Sequence, residues 1–270
     1  MPVINTNVNA MFAQGALKVN GRNLAQSMQQ LSTGSRINSA ADDAAGLAIG
    51  QTMTAQIRGL TQAVRNANDG ISMLQTAEGS MNEQSNILQR MRELSVQAST
   101  STNSTDQRGY LDTEFSALKD QLDSIASKTT WNGTNILDGS ATASVIQVGA
   151  NSGETITVSI ANVSTSALAV TGSLTSTTTA STAIGTINTA LDSLNSARAT
   201  IGASVNRLTY AADNLTNVIQ NYSNSRSQVM DTDYATATTQ LARSQIIQQA
   251  ATAMLAQANQ APQSVLALLK

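Results

Sequence analysis

The sequence predicts a mainly α protein: an elongated antiparallel helical bundle or coiled coil formed by both chain ends, with a small β-hairpin region at mid-chain. Two observations at the ends and one in the middle lead there. Ile247, Ala251, Met254, Ala258, Ala261, Val265 and Leu268 alternate spacings of four and three, a heptad seam on a helix. Alanine fills nearly half of it, so a second helix can approach closely. Near the other end, Leu17, Leu24, Met28 and Leu31 fall on one helical face. Neither terminus carries enough bulky apolar surface to fold alone, because an isolated helix of this length is marginal in water. The ends are therefore expected to pair with each other and with copies of themselves. In mid-chain the apolar period drops to two.

Taken in order, residues 5–31 read as a first helix that stops at Thr33-Gly34, with Gly34 just past the last turn. Residues 35–39 form a connector. Ser39-Ala-Ala-Asp42 has capping-box character, Ser39 accepting from a freed amide and Asp42 or Asp43 complementing the helix end. A long helix follows over about 40–99, with Met53, Ile57, Leu60, Val64, Ala67, Ile71 and Leu74 as its seam. Met81, Leu88, Met91 and Leu94 continue the face. Gly46, Gly50, Gly59, Gly70 and Gly79 lie inside it, each costing roughly 1 kcal/mol against alanine. So many point to closely packed backbones or a supporting bundle. After a loop over 99–104, Thr105 or Asp106 is expected to cap a helix to Lys128, with Leu111, Phe115, Leu118, Leu122 and Ile125 inward.

Asn132-Gly133 and Asp138-Gly139 then mark turns. Val145 to Val148, a turn over 150–153, and Ile156, Val158 and Ile160 alternating with Thr155, Thr157 and Ser159 read as a β-hairpin. Residues 161–183 are rich in Ser, Thr and Ala and are expected as loops with short strands at an exposed tip. Helical spacing returns at Ile184 and runs through Ile187, Leu191, Leu194, Ile201, Val205, Leu208, Ala212, Leu215 and Ile219 to Tyr222. Residues 223–233 read as a polar connector, and the terminal helix starts near Asp233. Pro262 is expected to kink or loosen its end. The order is nearly palindromic, so the chain ends are expected at one pole and the middle at the other.

Composition narrows function. Of 270 residues only 12% are charged and 3% aromatic, and the net charge is −2. That gives no basic face for nucleic acid, which needs one to displace counterions from phosphate. No apolar run is long enough for a membrane span. Met1-Pro-Val-Ile-Asn-Thr-Asn7 lacks the basic and apolar regions of a cleaved secretory signal. Cysteine and histidine are both absent, which removes disulfides, thiolate metal sites and the commonest general base. The glycines form no phosphate-binding pattern. Asp42-Asp43 and Asp231/Asp233 have the composition of metal ligands or acid/base pairs, but helix capping is the simpler reading. No cofactor is expected. Asn132-Gly-Thr134 is formally a glycosylation sequon and reads more simply as a turn.

Four ordered motifs carry a resemblance. Leu31-Ser-Thr-Gly-Ser-Arg-Ile-Asn38 with Ala40-Ala-Asp-Asp-Ala-Ala-Gly-Leu-Ala-Ile49 resembles the N-terminal signature of bacterial flagellins. Gln89-Arg-Met-Arg-Glu-Leu-Ser-Val-Gln97 is similar to their long-helix motif, and Val148-Gly-Ala-Asn-Ser-Gly-Glu-Thr-Ile156 to their hairpin motif. Ala253-Met-Leu-Ala-Gln-Ala-Asn-Gln-Ala-Pro-Gln263 with Val265-Leu-Ala-Leu-Leu-Lys270 resembles their C-terminus. The resemblance implies a filament subunit of an extracellular bacterial flagellum, short enough to lack large outer domains. It implies a terminal coiled-coil domain (1–38 and 226–270, with connectors) and a rod domain (39–183 and 184–225). It also implies unfolded export through the flagellar type III apparatus, an export chaperone at the C-terminal helix, and hook-associated and cap proteins as partners. Filament assembly would use Leu17, Leu24, Met28, Leu31, Ile247, Met254, Val265 and Leu268.

The same resemblance implies recognition by a host Toll-like receptor through Gln89, Arg90, Arg92, Glu93, Leu94, Gln97 and Glu114. Intracellular NAIP sensors would read Val265, Leu266, Leu268 and Leu269, although Lys270 stands where an arginine is expected. Ala235-Thr-Ala-Thr-Thr239 lacks acidic residues common in the family. On the residues alone, Arg90, Arg92 and Glu93 form a solvated face with i,i+3 and i,i+4 pairing; structural contact and receptor contact are compatible. The Ser/Thr-rich stretch 161–183 has the composition of an O-modified segment. A hook–filament junction protein would share the helical ends without forming long fibres. An enzyme, such as a flagellin with a metalloprotease insert, would need ligands that a histidine-free chain does not offer.

Overall fold

The computed structural model describes residues 6–141 and 143–267, with side chains through residue 260. The described residues form five helices: α1 (Val8–Thr33), α2 (Ala44–Ala98), α3 (Thr105–Lys128), α4 (Thr177–Met230) and α5 (Tyr234–Ala267). Between α3 and α4 lie β1 (Thr130–Trp131), β2 (Thr134–Asn135), β3 (Ser144–Gln147) and β4 (Thr155–Val158). Two compact units result: Met1–Gln56 with Asn221–Lys270, and Ile57–Gln220. The boundaries of these units fall inside α2 and α4. Packing explains this: a Cβ on Gly50 would meet the Met230 sulfur at 2.5 Å, so these turns of α2 and α4 are locked together within the terminal unit.

In the terminal unit α1 and α5 run antiparallel, with Asn7 against Ala258 and Asn20 against Ser244. The seam of α1 is Ala10, Ala13, Leu17, Asn20, Leu24, Ser27 and Leu31, alternating spacings of three and four. That of α5 is Ala237, Leu241, Ser244, Ala251, Leu255 and Ala258. It is rotated from the expected seam: Ala251 and Ala258 face α1, whereas Ile247 and Met254 are exposed. Small residues occupy alternate positions on both helices, so they close on each other with little apolar bulk. Asn20 supplies specificity: buried, it donates from Nδ2 to the Ser244 carbonyl at 2.7 Å, and a buried seam asparagine fixes register at some cost in stability.

Asn7 has two jobs. Its Oδ1 accepts from the Ala10 amide at 3.0 Å and caps α1, while its Nδ2 donates to the Ala258 carbonyl at 2.8 Å. That carbonyl lies four residues before Pro262, which has no N–H to offer it. Asn7 replaces the missing donor, and α5 continues past Pro262 to Ala267.

The connector is a tied joint. Gly34 ends α1 in the left-handed region (φ 71°), donating to Gln30 O at 2.9 Å. Gly34 O accepts from Thr232 N, Arg36 N donates to Met230 O at 2.7 Å, and the Arg36 guanidinium reaches Val229 O at 2.6 Å. Residues 223–230, expected as connector, are the last turns of α4. Gly34→Ala should destabilise this joint by about 1–2 kcal/mol, since a Cβ is strained at positive φ and would press on the Tyr234 hydroxyl at 3.2 Å. Hydrogen exchange at the Arg36 amide should accelerate correspondingly.

Capping differs in detail from the sequence reading. Asp43 Oδ1 accepts from Gly46 N at 2.9 Å and caps α2. Asp42 accepts from Ser39 N and Oγ, Asn38 N and Gln26 Nε2, so Ser39 donates where it was expected to accept. The Ser39 hydroxyl first, then the backbone amides, hold the Asp42 carboxyl below its usual range. Ser104, not Thr105 or Asp106, caps α3 in a capping box with Gln107.

In the second unit, buried residues of α2 recur at 60, 63, 67, 70, 74, 77, 81, 84, 88, 91, 95 and 98, an unbroken alternation of three and four. Ala63, Gly70, Ala77, Gln84, Ser95 and Ala98 thus share the seam with Leu60, Ala67, Leu74, Met81, Leu88 and Met91, while the expected Val64 and Ile71 flank it half-buried. Gly70 lies close to β3: a Cβ there would meet Ile146 Cδ1, which would have to shift. The core draws Phe115 and Leu122 from α3, Ile146 and Val158 from the hairpin, and Ile187, Leu194, Ile201 and Leu208 from α4. β3 and β4 pair antiparallel with Ile146 opposite Ile156. Asn132 (φ 48°) and Gly133 (φ 79°) make the tight turn between β1 and β2.

Residues 161–176 are not an exposed tip, and no described residue there is a strand. Val163, Leu168, Val170 and Leu174 are buried in the main core. Two carboxylates of α3 stitch the segment down: Asp123 accepts from Thr165 N and Oγ1 at 2.8 and 2.6 Å, and Asp112 from Leu174 N at 2.5 Å. Helix α4 starts at Thr177, capped by Ser176 through the Thr179 amide, earlier than the expected Ile184.

Asp138 is the most strongly perturbed carboxyl. Ser140 Oγ, Ser140 N and Asn135 Nδ2 all donate to it, at 2.6, 2.9 and 2.9 Å, and lower its pKa from 3.8 to about 2. A depressed carboxyl contributes stability that is complete above its unfolded value and lost as pH falls through the folded one. The turn over 135–140 should therefore hold at pH 3.8 and open near pH 2. In an NMR titration the Ser140 amide should show a midpoint near 2; a midpoint near 3.8 would contradict the turn geometry.

Candidate functional site

Two surfaces carry the side chains that the fold leaves unused. The first lies on α1 and α5. Their seam consumes Ala, Ser, Asn and Leu, and the apolar residues Val8, Met11, Phe12, Val19, Ile246 and Met254 face outward. Phe12 is 77% exposed, although aromatic residues are only 3% of the chain. An apolar groove of about 540 Å³ runs between the helices, lined by Phe12, Ala13, Ala16, Ala251, Met254 and Ala258 among others. Exposed apolar patches rimmed by polar residues mark interaction surfaces.

The second surface is on α2, α3 and α4 of the other unit. Arg90 Nε and Nη2 both reach Glu114 Oε1 of α3 at 3.0 Å, and Nη1 donates to Glu93 at 3.0 Å. Glu93 first, then Glu114, raise the arginine's pKa above its ordinary value. Arg92 Nε donates to Asn188 Oδ1 of α4 at 2.9 Å. An open groove of about 700 Å³ follows, lined by Gln89, Arg92, Glu93, Val96, Gln97, Asn188 and Leu191. These exposed pairs contribute little to stability; they fix the geometry of a polar face. Among the described residues no group of three His, Cys, Asp or Glu is placed to hold a metal ion.

Residues 4–142 match the bacterial flagellin N-terminal helical region, and residues 184–269 match the bacterial flagellin C-terminal helical region. A flagellin of Halalkalibacterium halodurans is 43% identical over 271 aligned residues, covering 99% of this chain and 100% of the relative. The chain belongs to the bacterial flagellin family. As a flagellin it is a structural subunit that self-assembles into the extracellular flagellar filament, and not an enzyme. Flagellin B of Vibrio cholerae is 48% identical over 169 residues, which cover 63% of this chain but 45% of that longer relative. Among solved structures, Bacillus cereus flagellin aligns with a TM-score of 0.52 and 38% identity over 56% of this chain and 88% of its own. A putative flagellar hook-associated protein from Vibrio parahaemolyticus reaches 0.60 over 70% of this chain and 100% of its own, but at 15% identity that likeness shows the fold alone.

The flagellin's expected site residues sort unevenly. Leu17, Leu24 and Leu31 are half-buried in the intramolecular seam, whereas Met28, Ile247 and Met254 face outward. The side chains of Val265 and Leu266, and Leu268 and Leu269 altogether, lie outside the described residues. Gln89, Arg90, Arg92, Glu93, Gln97 and Glu114 are exposed on one face. Leu94 is not: at 1% exposure it belongs to the core. Sequence reasoning missed Val8, Met11, Phe12, Val19 and Ile246. The available signal was a second, shorter apolar stripe opposite the seam.

Proposed function

We propose that the outward apolar faces of α1 and α5 are the surfaces by which one flagellin subunit packs on the next. The observation that carries this is the placement of Val8, Met11, Phe12, Ile246 and Met254: large apolar side chains of both terminal helices are exposed, while the seam alternates small residues with leucine. Many modest contacts repeated along a heterologous interface give an open fibre. Met28 and Ile247 extend these faces, Leu17, Leu24 and Leu31 hold them in register, and Val265 and Leu268 are assigned the same assembly role.

A subunit with such faces needs cover before assembly. Export through the flagellar type III apparatus with a chaperone on the C-terminal helix supplies it, and hook-associated and cap proteins offer the first and last contacts. The polar face of Gln89, Arg90, Arg92, Glu93, Gln97 and Glu114 is the surface a Toll-like receptor reads, with Leu94 beneath it. Val265, Leu266, Leu268 and Leu269 are the residues that NAIP sensors read. Negative-stain electron microscopy with short filament seeds tests the assembly reading: long regular fibres are expected, and persistent monomers would refute it. Arg90→Ala tests the receptor face. It should remove the Glu93 and Glu114 pairs with no measurable change in thermal midpoint, yet cut receptor reporter activity by about tenfold, the scale of one charge-assisted contact. Unchanged signalling would refute that assignment.

A further inference from the structure

We propose that Met11, Met28 and Met254 are oxidation sites on the unassembled subunit, where a peroxide converts the thioethers to sulfoxides and blocks joining. This rests on the reading that the outward faces of α1 and α5 are subunit contacts. The chain has nine methionines and no cysteine, so its readily oxidised sulfur is all thioether. The fold sorts them sharply. Met81 and Met91 are sealed at 0% exposure in the main core, and Met73 is buried. Met53 and Met230 are half-buried, Met230 with its sulfur against Gly50. Met11, Met28 and Met254 are 63%, 58% and 65% exposed, and all three lie on α1 or α5. Met254 also lines the apolar groove with Phe12.

Unbranched, polarizable methionine suits an irregular contact surface, and the same exposure leaves it open to attack. A sulfur lone pair takes one oxygen from hydrogen peroxide. The O–O bond breaks, an S–O bond forms, sulfur loses two electrons and the remaining oxygen leaves as water. The product is polar and chiral. On a solvent-facing helix it disturbs nothing. In an apolar contact between subunits it must be stripped of water, which is unfavourable. Oxidised subunits therefore stay folded and stop joining, while the core methionines remain reduced.

Unpolymerised full-length protein treated with hydrogen peroxide, mapped by mass spectrometry and then offered to filament seeds, tests this. Oxidation at Met11, Met28 and Met254 should run about tenfold or more faster than at Met81 and Met91, following exposure. The treated protein should elongate seeds about tenfold more slowly or worse, at an unchanged circular dichroism spectrum. Repair with methionine sulfoxide reductases of both epimer specificities should restore elongation. A treated variant carrying Met11→Leu, Met28→Leu and Met254→Leu should elongate like its untreated form. Uniform oxidation of all methionines, or normal elongation by oxidised protein, would overturn the proposal. Untreated protein that fails to elongate would overturn the contact reading and the block with it, and the oxidation pattern would still report the site.

Discussion

Phe12→Asp is expected to abolish seeded polymerisation while leaving the subunit folded. The chain has two phenylalanines, and the fold uses them in opposite ways. Phe12 is 77% exposed beside the groove between α1 and α5, so its removal costs the monomer little; surface substitutions usually stay within about 0.5 kcal/mol. An aromatic anchor at a protein contact, however, is worth about 2–4 kcal/mol, and a carboxylate in its place must also be desolvated. At about 1.4 kcal/mol per tenfold, elongation should fall by roughly two orders of magnitude or more. Electron microscopy and turbidity with seeds check it, and normal filaments would remove Phe12 from the contact surface.

Phe115→Ala should do the reverse: damage the fold before it damages assembly. Phe115 is 1% exposed and is among the largest fully buried side chains of the chain. It packs into the core shared by α2, α3 and α4. Truncating a buried phenylalanine to alanine costs about 3–5 kcal/mol, the loss of transfer energy plus the cavity left behind. For a chain of this size that corresponds to a fall in thermal midpoint on the order of 10 °C. The helix-pairing seam between α1 and α5 does not include Phe115, so filaments should still form at low temperature. A midpoint shift of a degree or two would mean that the core around α3 collapses into the gap.

Much of this architecture is legible in the sequence because heptad spacing survives even a weakly apolar composition. Leu60, Ala67, Leu74, Leu194, Leu208 and Leu215 all take the buried positions their spacing requires. The missing half of each seam was invisible for one physical reason. Ala63, Gly70, Ala77, Ala190 and Ser204 are buried, and each carries a weaker apolar signal than a bulky neighbour. Bulky neighbours one position away, such as Val64, Ile71 and Val205, were read in their stead and proved half-buried. The stripe of Val8, Phe12 and Val19 lies off the face that Leu17, Leu24 and Leu31 define. Segment 161–176 was misjudged for another reason: its anchoring depends on Asp112 and Asp123 of α3, partners far away in sequence. Local polarity cannot report a distant carboxylate.

The bond from Asn7 to the carbonyl that Pro262 leaves without a helical donor joins positions 255 residues apart into one heritable trait. Neither residue can be valued alone. With proline at 262, losing the Asn7 amide strands a carbonyl. With alanine there, the helix supplies its own N–H, and Asn7 keeps only its role as a cap, which serine would fill as well. The two sites should therefore show epistasis, substitutions at 7 being harmful in one background and nearly silent in the other. Chimaeras that take the first helix from one flagellin and the last from another will inherit or break this pairing according to what stands at 262.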